Sequence, residues 1–408
     1  MTIYYKITNK DEIHHGYKYK DGLNILEEKF NESINNSYGE GGFYFTTAEY
    51  IHEFYDYGEN LRVVELPLDN PNFKMVKLNK KFRANMIILK EKYNFNDLND
   101  FKEIFKINEN YNCNIHNIEI LEWLKNINYD FNNYDFNNKL SINYKFKYYY
   151  HIINYTSYHG HVNVLEWFKN SGYAFKYDKS AINYASMKGH VNVLEWFKNL
   201  GLKFKYDENA INRASEFGHV NVLEWFKNSG YEFEYDKRAI NNASSYGHEH
   251  ILEWFKNSGY EFKYDEWAIN YASSQGKINI LEWFKNSGYE FKYDKRAINW
   301  ASQYGHIHVL EWFKNSGYEF KYDEDAIYNA SKNNNINVLE WFKNSGYKFK
   351  FTEDCLKVNN NNIEVLEWFK NNMNYTIYYK SNDTNINNKT LEWLKINGVE
   401  IIDKPLIL

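Results

Sequence analysis

Hydrophobic positions return on a fixed beat through most of this chain. The string Leu-Glu-Trp-Phe-Lys-Asn places its tryptophan at Trp167, Trp196, Trp225, Trp254, Trp283, Trp312 and Trp341, each 29 residues after the last. Weaker copies sit at Trp123, Trp368 and Trp393. In the unit 294–322, Val309, Leu310, Trp312 and Phe313 share one helical face, and the same reading turns Glu311 and Lys314 away from it. This predicts a helix over residues 307–315, ended by Gly317 in the left-handed conformation glycine tolerates. A preceding helix is predicted through residues 297–302, capped by Asp294, with Gly305-His306 as the turn between the two. The small pair Ala301-Ser302 recurs in every copy from 185/186 to 330/331 and marks a close contact between units. A fixed period of this length is the signature of a solenoid, whose units bury their apolar faces against one another.

Residues 1–105 carry no copy of the repeat. Segments 3–7, 43–45 and 61–66 read as strands, punctuated by Gly41-Gly42 and Pro67. Residues 48–57 read as a short helix with Thr46 or Thr47 as N-cap. The expected fold class is therefore mostly α: a helical solenoid of ~29-residue repeats preceded by a small α+β N-terminal domain. The expected boundaries are 1–105 for that domain, 106–400 for an array of about ten units degenerate at both ends, and 401–408 for a tail. The Asn/Tyr/Phe-rich stretch 126–150 reads as an inserted loop or a frayed first repeat. Pro67, Pro71 and Pro405 all lie outside the array.

Composition changes this picture mainly by exclusion. At 408 residues the chain exceeds one ordinary hydrophobic core. A net charge of −5 gives no basic footprint, which argues against nucleic acid as a partner. No apolar run approaches the roughly 20 residues of a membrane span, so no membrane partner is expected. Cys113 and Cys355 are the only cysteines, which excludes a disulfide framework and points to a reducing compartment. No cofactor is expected, and a monomer is.

Because the units are copies, they can be compared position by position. Near-constant sites are apolar, Ala, Gly or Asp and are explained by packing. The variable columns contain Tyr184, Arg213, Arg238, Tyr246, Trp267, Tyr271, Trp300 and Tyr304, and Trp and Arg are favoured interface anchors. His161, His190, His219, His248 and His306 follow the turn glycine, with His159, His250 and His308 two positions away. That pattern follows the repeat and lacks a companion Cys or carboxylate cluster, so turn hydrogen bonding is expected rather than metal.

Residues 296–306, Arg-Ala-Ile-Asn-Trp-Ala-Ser-Gln-Tyr-Gly-His, resemble the Thr-Pro-Leu-His-x-Ala-Ala-x-x-Gly-His segment of ankyrin repeats. Departures are Arg296-Ala297 for Thr-Pro, Asn at 183, 212, 241, 270 and 299 for the family's His, and a loop four residues shorter. The resemblance implies a truncated hairpin finger and places the variable columns on a concave, partner-facing side. The whole chain is similar to the ankyrin-repeat proteins of mimivirus-like giant viruses. Residues 5–9, 16–24, 41–47, 61–71 and 82–85 carry that likeness in the N-terminal domain. It implies a non-catalytic scaffold or adaptor for a host or viral protein of unknown identity, in the cytoplasm of the infected cell. Two alternatives stand beside it. One is a structural component of the virion or viral factory. The other is an NAD-related activity, because His15-Gly16 and residues 41–45 resemble the His-Gly and Gly-x-Tyr-Phe elements of ADP-ribosyltransferases, with Glu65 as a candidate partner.

Overall fold

A computed structural model describes residues 3–33, 41–107, 117–128, 150–173, 175–356, 363–373, 378–380, 392–394, 396 and 400–402. Most of the 126–150 stretch, Cys113, Pro405 and most of the tail lie outside the described residues. Cα proximity divides the chain into two compact units, Met1–Asp178 and Lys179–Leu408.

The first unit is built on an antiparallel sheet. Its strands are β1 (Tyr4–Thr8), β4 (Gly22–Ile25), β5 (Phe43–Thr47), β6 (Asn60–Glu65), β7 (Met75–Lys77), β8 (Phe82–Ala84) and β9 (Met86–Asn94), in the order β4-β9-β6-β1-β5-β8-β7. The small hairpin β2 (Ile13–His14) and β3 (Tyr17–Lys18) stands apart from it. Its two-residue turn has φ +50° at His15 and +81° at Gly16, the pair of positive angles a tight hairpin needs to match strand twist. One face packs Tyr19, Phe43, Phe45, Val64, Ala84, Ile87 and Leu89 into a core. The expected helix at 48–57 is instead a 3-10 helix, Ile51–Tyr57, without a side-chain cap. Thr46 and Thr47 belong to β5, where Thr46 donates to the Lys80 carbonyl at 2.6 Å, so neither is free to cap. Helices α1 (Leu98–Ile107), α2 (Ile118–Asn126), α3 (Tyr150–Tyr158) and α4 (Val162–Asn170) complete this unit.

The second unit repeats one helix pair. First helices are α5 (Lys179–Met187), α7 (Asn209–Glu216), α9 (Arg238–Tyr246), α11 (Glu266–Ser274), α13 (Arg296–Gln303) and α15 (Glu324–Lys332). Second helices are α6 (Val191–Asn199), α8 (Val220–Ser229), α10 (Glu249–Ser258), α12 (Ile278–Ser287), α14 (Ile307–Ser316) and α16 (Ile336–Asn344), followed by α17 (Ile363–Met373). Gly317 ends α14 at φ +85° as expected. Asp294 accepts the Arg296 amide at 2.9 Å, and Asp265 and Asp323 act likewise on α11 and α15. Neighbouring first helices approach much more closely than neighbouring second helices. Buried Ala272 and Ala301 allow this, and Ser273 and Ser302 fold their hydroxyls back onto the carbonyls four residues earlier.

Glu311 and Lys314 lie off the buried face of their own helix, as expected, and each also serves the next repeat. The Trp341 indole N–H donates to Glu311 at 2.5 Å, and the Lys314 ammonium lies 5.9 Å from the Trp341 ring centre. The same link joins Trp225 to Glu195 at 2.8 Å, Trp283 to Glu253 at 3.0 Å and Trp312 to Glu282 at 2.5 Å. The tryptophan is thus held at the boundary of the core, with its N–H satisfied, while Val309, Leu310 and Phe313 fill the interior. The link also joins Trp167 to Glu122, which makes the Trp123 unit the neighbour of the Trp167 unit despite the long stretch between them.

Candidate functional site

The constant columns of the array are consumed by holding it together. Asn183, Asn212, Asn241, Asn270 and Asn299 each donate to the capping Asp of the next unit, at 2.6–3.1 Å. These asparagines occupy the position of the ankyrin histidine, and the bridge explains the replacement. Burial pushes the Asp294 carboxyl up, but hydrogen bonds from Arg296 and Asn270 outweigh it and hold the group below the usual carboxylate range. The turn histidines are also structural. The His219 and His306 Nε2 groups lie 3.0 Å from the Met187 and Ser274 carbonyls of the preceding unit, and burial keeps both rings below their ordinary pKa. Loop tyrosines add a further rung, with the Tyr264 hydroxyl donating to the Glu290 carbonyl at 2.6 Å.

What remains for a partner is the variable face of the first helices. Three of the expected residues converge there. The Trp267 ring centre lies 5.0 Å from Tyr271 and 5.7 Å from Trp300, and Tyr271 stacks on Trp300 at 5.9 Å and 11°. All three are half-buried. Arg296, which shares the variable column of Arg238 and Trp267 but was not among the eight expected residues, lies with its guanidinium 4.0 Å from the Trp267 ring centre. Asp294 and Glu266 fix that guanidinium, so the cluster is already ordered. The signal for Arg296 in the sequence is its place in that column, 29 positions after Trp267.

The other expected residues do not join this cluster. Tyr246 is 53% exposed and lies 6.1 Å from Phe217, while Tyr304 is 54% exposed near His306. Both therefore offer apolar area at the helix ends. Arg213 pairs with the buried Glu216 at 2.8 Å, and Arg238 is gripped by Asp236 at 2.7 Å and Glu208 at 3.3 Å. These two guanidiniums are occupied within the chain, which reduces their value as anchors. Tyr184 sits half-buried on α5, three repeats before Tyr271.

The N-terminal unit holds a cavity of about 660 Å³. The structure brings His15-Gly16 and Gly41, Gly42, Phe43, Tyr44 and Phe45 to its lining, together with Lys6, Glu27 and Glu28. Glu65 is not among these residues; it is exposed on β6 and pairs with Lys90 at 3.0 Å. Part of the motif has a packing explanation. A Cβ at Gly42 would stand 2.3 Å from the Arg83 side chain, which is fully buried.

No family model matches the chain. A protein of Acanthamoeba polyphaga mimivirus named for ankyrin repeats is 46% identical over 97 residues, covering 23% of this chain and 48% of the relative. An uncharacterized protein of the same virus is 47% identical over 104 residues, 25% of this chain and 75% of that protein. Another mimivirus protein named for ankyrin repeats is 34% identical over 134 residues, 30% of this chain and 42% of its own length. The chain thus spans less than half of these two relatives that carry the ankyrin name. Among solved structures, the human ASB11 ankyrin repeat domain aligns at 12% identity and a TM-score of 0.37, covering 46% of this chain and 96% of that one.

Proposed function

The chain belongs to the ankyrin-repeat proteins of mimivirus-like giant viruses, and from that premise we propose that it is a non-catalytic scaffold for a host or viral protein. The observation that carries this reading is the ordered cluster of Trp267, Tyr271 and Trp300 with Arg296, on the edge where first helices crowd together. Pre-ordered aromatic rings lose little conformational freedom on binding, which is the usual basis of an interface hot spot. The test is quantitative affinity capture from amoebal host lysate and from infected cells. The intact chain is compared with one carrying Trp267→Ser, Tyr271→Ser and Trp300→Ser. A discrete partner retained by the first and lost by the second supports the reading, once direct binding of the purified pair is measured. Equal recovery by both moves the site off this face.

A second reading has one observation in its favour. Both stretches that resemble ADP-ribosyltransferase elements line the same cavity, with Glu27 and Glu28 as its carboxylates. An NAD-related activity there predicts NAD binding by the full chain that is lost on His15→Ala. Absence of any NAD heat in a titration of the intact protein would end it.

A further inference from the structure

The cavity of the N-terminal unit contains a buried cation that forms no ion pair among the described residues, Glu27 and Glu28 of its lining included. Lys6 lies on β1, in the interior of the seven-stranded sheet, and is 6% exposed. Its ammonium donates to the Tyr44 carbonyl at 3.0 Å and stands 4.5 Å from the centre of the Tyr19 ring. An ammonium has three donors, and among the described residues these two contacts are what answers them. No carboxylate pairs with it there, and burial alone pushes its pKa down to about 7. The contrast with Arg62 on the neighbouring strand is direct. That guanidinium is 2% exposed and is met by both Asp21 and Glu12. Buried charges are ordinarily paired, because an unpaired one loses its hydration without compensation.

The space beside Lys6 has the right character to supply the missing partner. A volume of about 660 Å³ falls within the range of small-molecule pockets, roughly 300–1,000 Å³. Tyr17, Tyr19, Phe43, Phe54 and Tyr57 give it aromatic walls. A bare inorganic anion would be stripped of water among those rings and gain little from them, whereas a planar ring carrying one anionic group would use both features. We propose that this cavity binds a small planar aromatic anion, with the ring against the aromatic walls and the anionic group on the Lys6 ammonium. The anion can be the phosphate of a nucleoside monophosphate or the carboxylate of an aromatic acid, since the two share this chemistry. The proposal rests on neither reading above: a protein with no protein partner and no affinity for NAD would leave it standing.

The experiment is isothermal titration of the full chain and of Lys6→Met, using adenosine monophosphate and benzoate as probes. Adenosine supplies the ring without the charge, and inorganic phosphate the charge without the ring. Methionine keeps the length and apolar volume of the lysine stem, so the sheet should fold. Lys6→Gln, which retains a donor for the Tyr44 carbonyl, is the second variant. The expected result is binding of at least one of the two aromatic anions, weakened about tenfold or more by either substitution. Adenosine and inorganic phosphate should bind more weakly and without regard to residue 6. Thermal unfolding of the ligand-free Lys6→Met chain should occur at or above the temperature of the unaltered chain, because a desolvated charge has been removed. Which anion binds identifies the source. Failure of both aromatic anions to bind, or equal affinity in all three chains, overturns the proposal. So does unfolding of Lys6→Met at a lower temperature with ligand affinity unchanged, which would make Lys6 a structural residue.

Discussion

The two units solve the problem of buried polarity in opposite ways. In the array, buried polar side chains follow a few copied solutions: the serine hydroxyls bond a carbonyl of their own helix, and the asparagine amides and indoles reach a residue of a neighbouring unit. Asn270 reaches Asp294, Trp283 reaches Glu253, and each neighbour does the same in its own register. In the sheet, every arrangement is made once. Arg62 is met by Asp21 and Glu12, Asn24 closes its own loop onto the Lys20 carbonyl, and Lys6 faces a cavity. Repetition allows no special site unless one copy departs from the rest. A fold built of single solutions can keep a cavity and a poorly answered charge, which is the material from which ligand sites are made. The difference teaches where to look. In the array the candidates are the positions that vary, and in the sheet domain they are the groups that line the cavity.

The largest expected effect breaks this comparison at the core. Phe284 and Phe43 are both essentially buried, and replacing either by Ala should cost about 3–5 kcal/mol. The outcomes should differ in form. Phe284→Ala interrupts a row of nearest-neighbour contacts, so chemical denaturation followed by hydrogen exchange should show α12 and its neighbours opening ahead of distant repeats. Phe43→Ala should lower protection across the sheet as a whole. A single uniform transition for both variants would show that the units unfold as one.

A smaller change sharpens the view of the links between repeats. Glu253→Ala removes the acceptor of the Trp283 indole and should cost about 0.5–1 kcal/mol, because the carboxylate is largely exposed. Glu253→Gln, which can still accept, should recover most of that. The check is urea denaturation of both variants beside the unaltered chain; identical midpoints in all three would mean that the link contributes nothing.

A last comparison separates the units by pH. Desolvation raises the Asp207, Asp265 and Asp323 carboxyls, but hydrogen bonds from Lys179, Lys237 and Lys295 and from the bridging asparagines prevail, leaving all three below the ordinary value. Their folded pKa is depressed, so their contribution is fully present above the unfolded value of about 4 and is lost as pH falls through the folded value. Lys6 acts in a different window. Burial lowers its folded pKa to about 7, well below the ordinary lysine value of about 10.4, so the folded state holds fewer protons between these limits and stability rises with pH across them. His14, Tyr17, Tyr19 and Lys81 line the same cavity, and burial lowers His14 and Lys81 and raises the two tyrosines. Melting temperatures from pH 3 to 10, followed by far-UV and near-UV signals, should show helix loss confined to the acid side. Helix loss that begins above pH 5 would place the cause outside these aspartates.

Much of the array was legible because one contact, once read, holds in every copy. The apolar face of the second helix, the turn at Gly305, the cap at Asp294 and the left-handed Gly317 all follow from a single unit. What a helical wheel of one repeat could not show is any contact whose other half lies about 30 positions away. Glu311 and Lys314 therefore looked solvent-facing until Trp341 was placed against them. The candidate cluster was half legible for the same reason: Trp267 and Trp300 stand out as variable, but the stacking of Tyr271 on Trp300 and the contact of Arg296 with Trp267 need the neighbouring helix. In the sheet, β9 escaped notice because Met86–Asn94 begins with a continuous apolar run and ends in charges, with no alternation along its length. Strand order could not be read at all, since β1 pairs with β6 across more than 50 residues and no local pattern encodes that choice. Thr46 and Thr47 carried the right chemistry for a cap, and pairing in β5 withdrew it.

The indole-to-carboxylate link has an evolutionary consequence. It spans 30 residues between most units, 28 between Trp368 and Glu340, 26 between Trp393 and Glu367, and 45 between Trp167 and Glu122. The junction thus forms across different lengths of intervening sequence, and a unit inside the array carries both a donor for the unit before and an acceptor for the unit after. A duplicated or deleted copy would find compatible ends waiting on both sides. Recombination between near-identical copies can then lengthen or shorten the gene without a folding penalty at the seam, making the number of repeats a trait that selection can adjust in single steps.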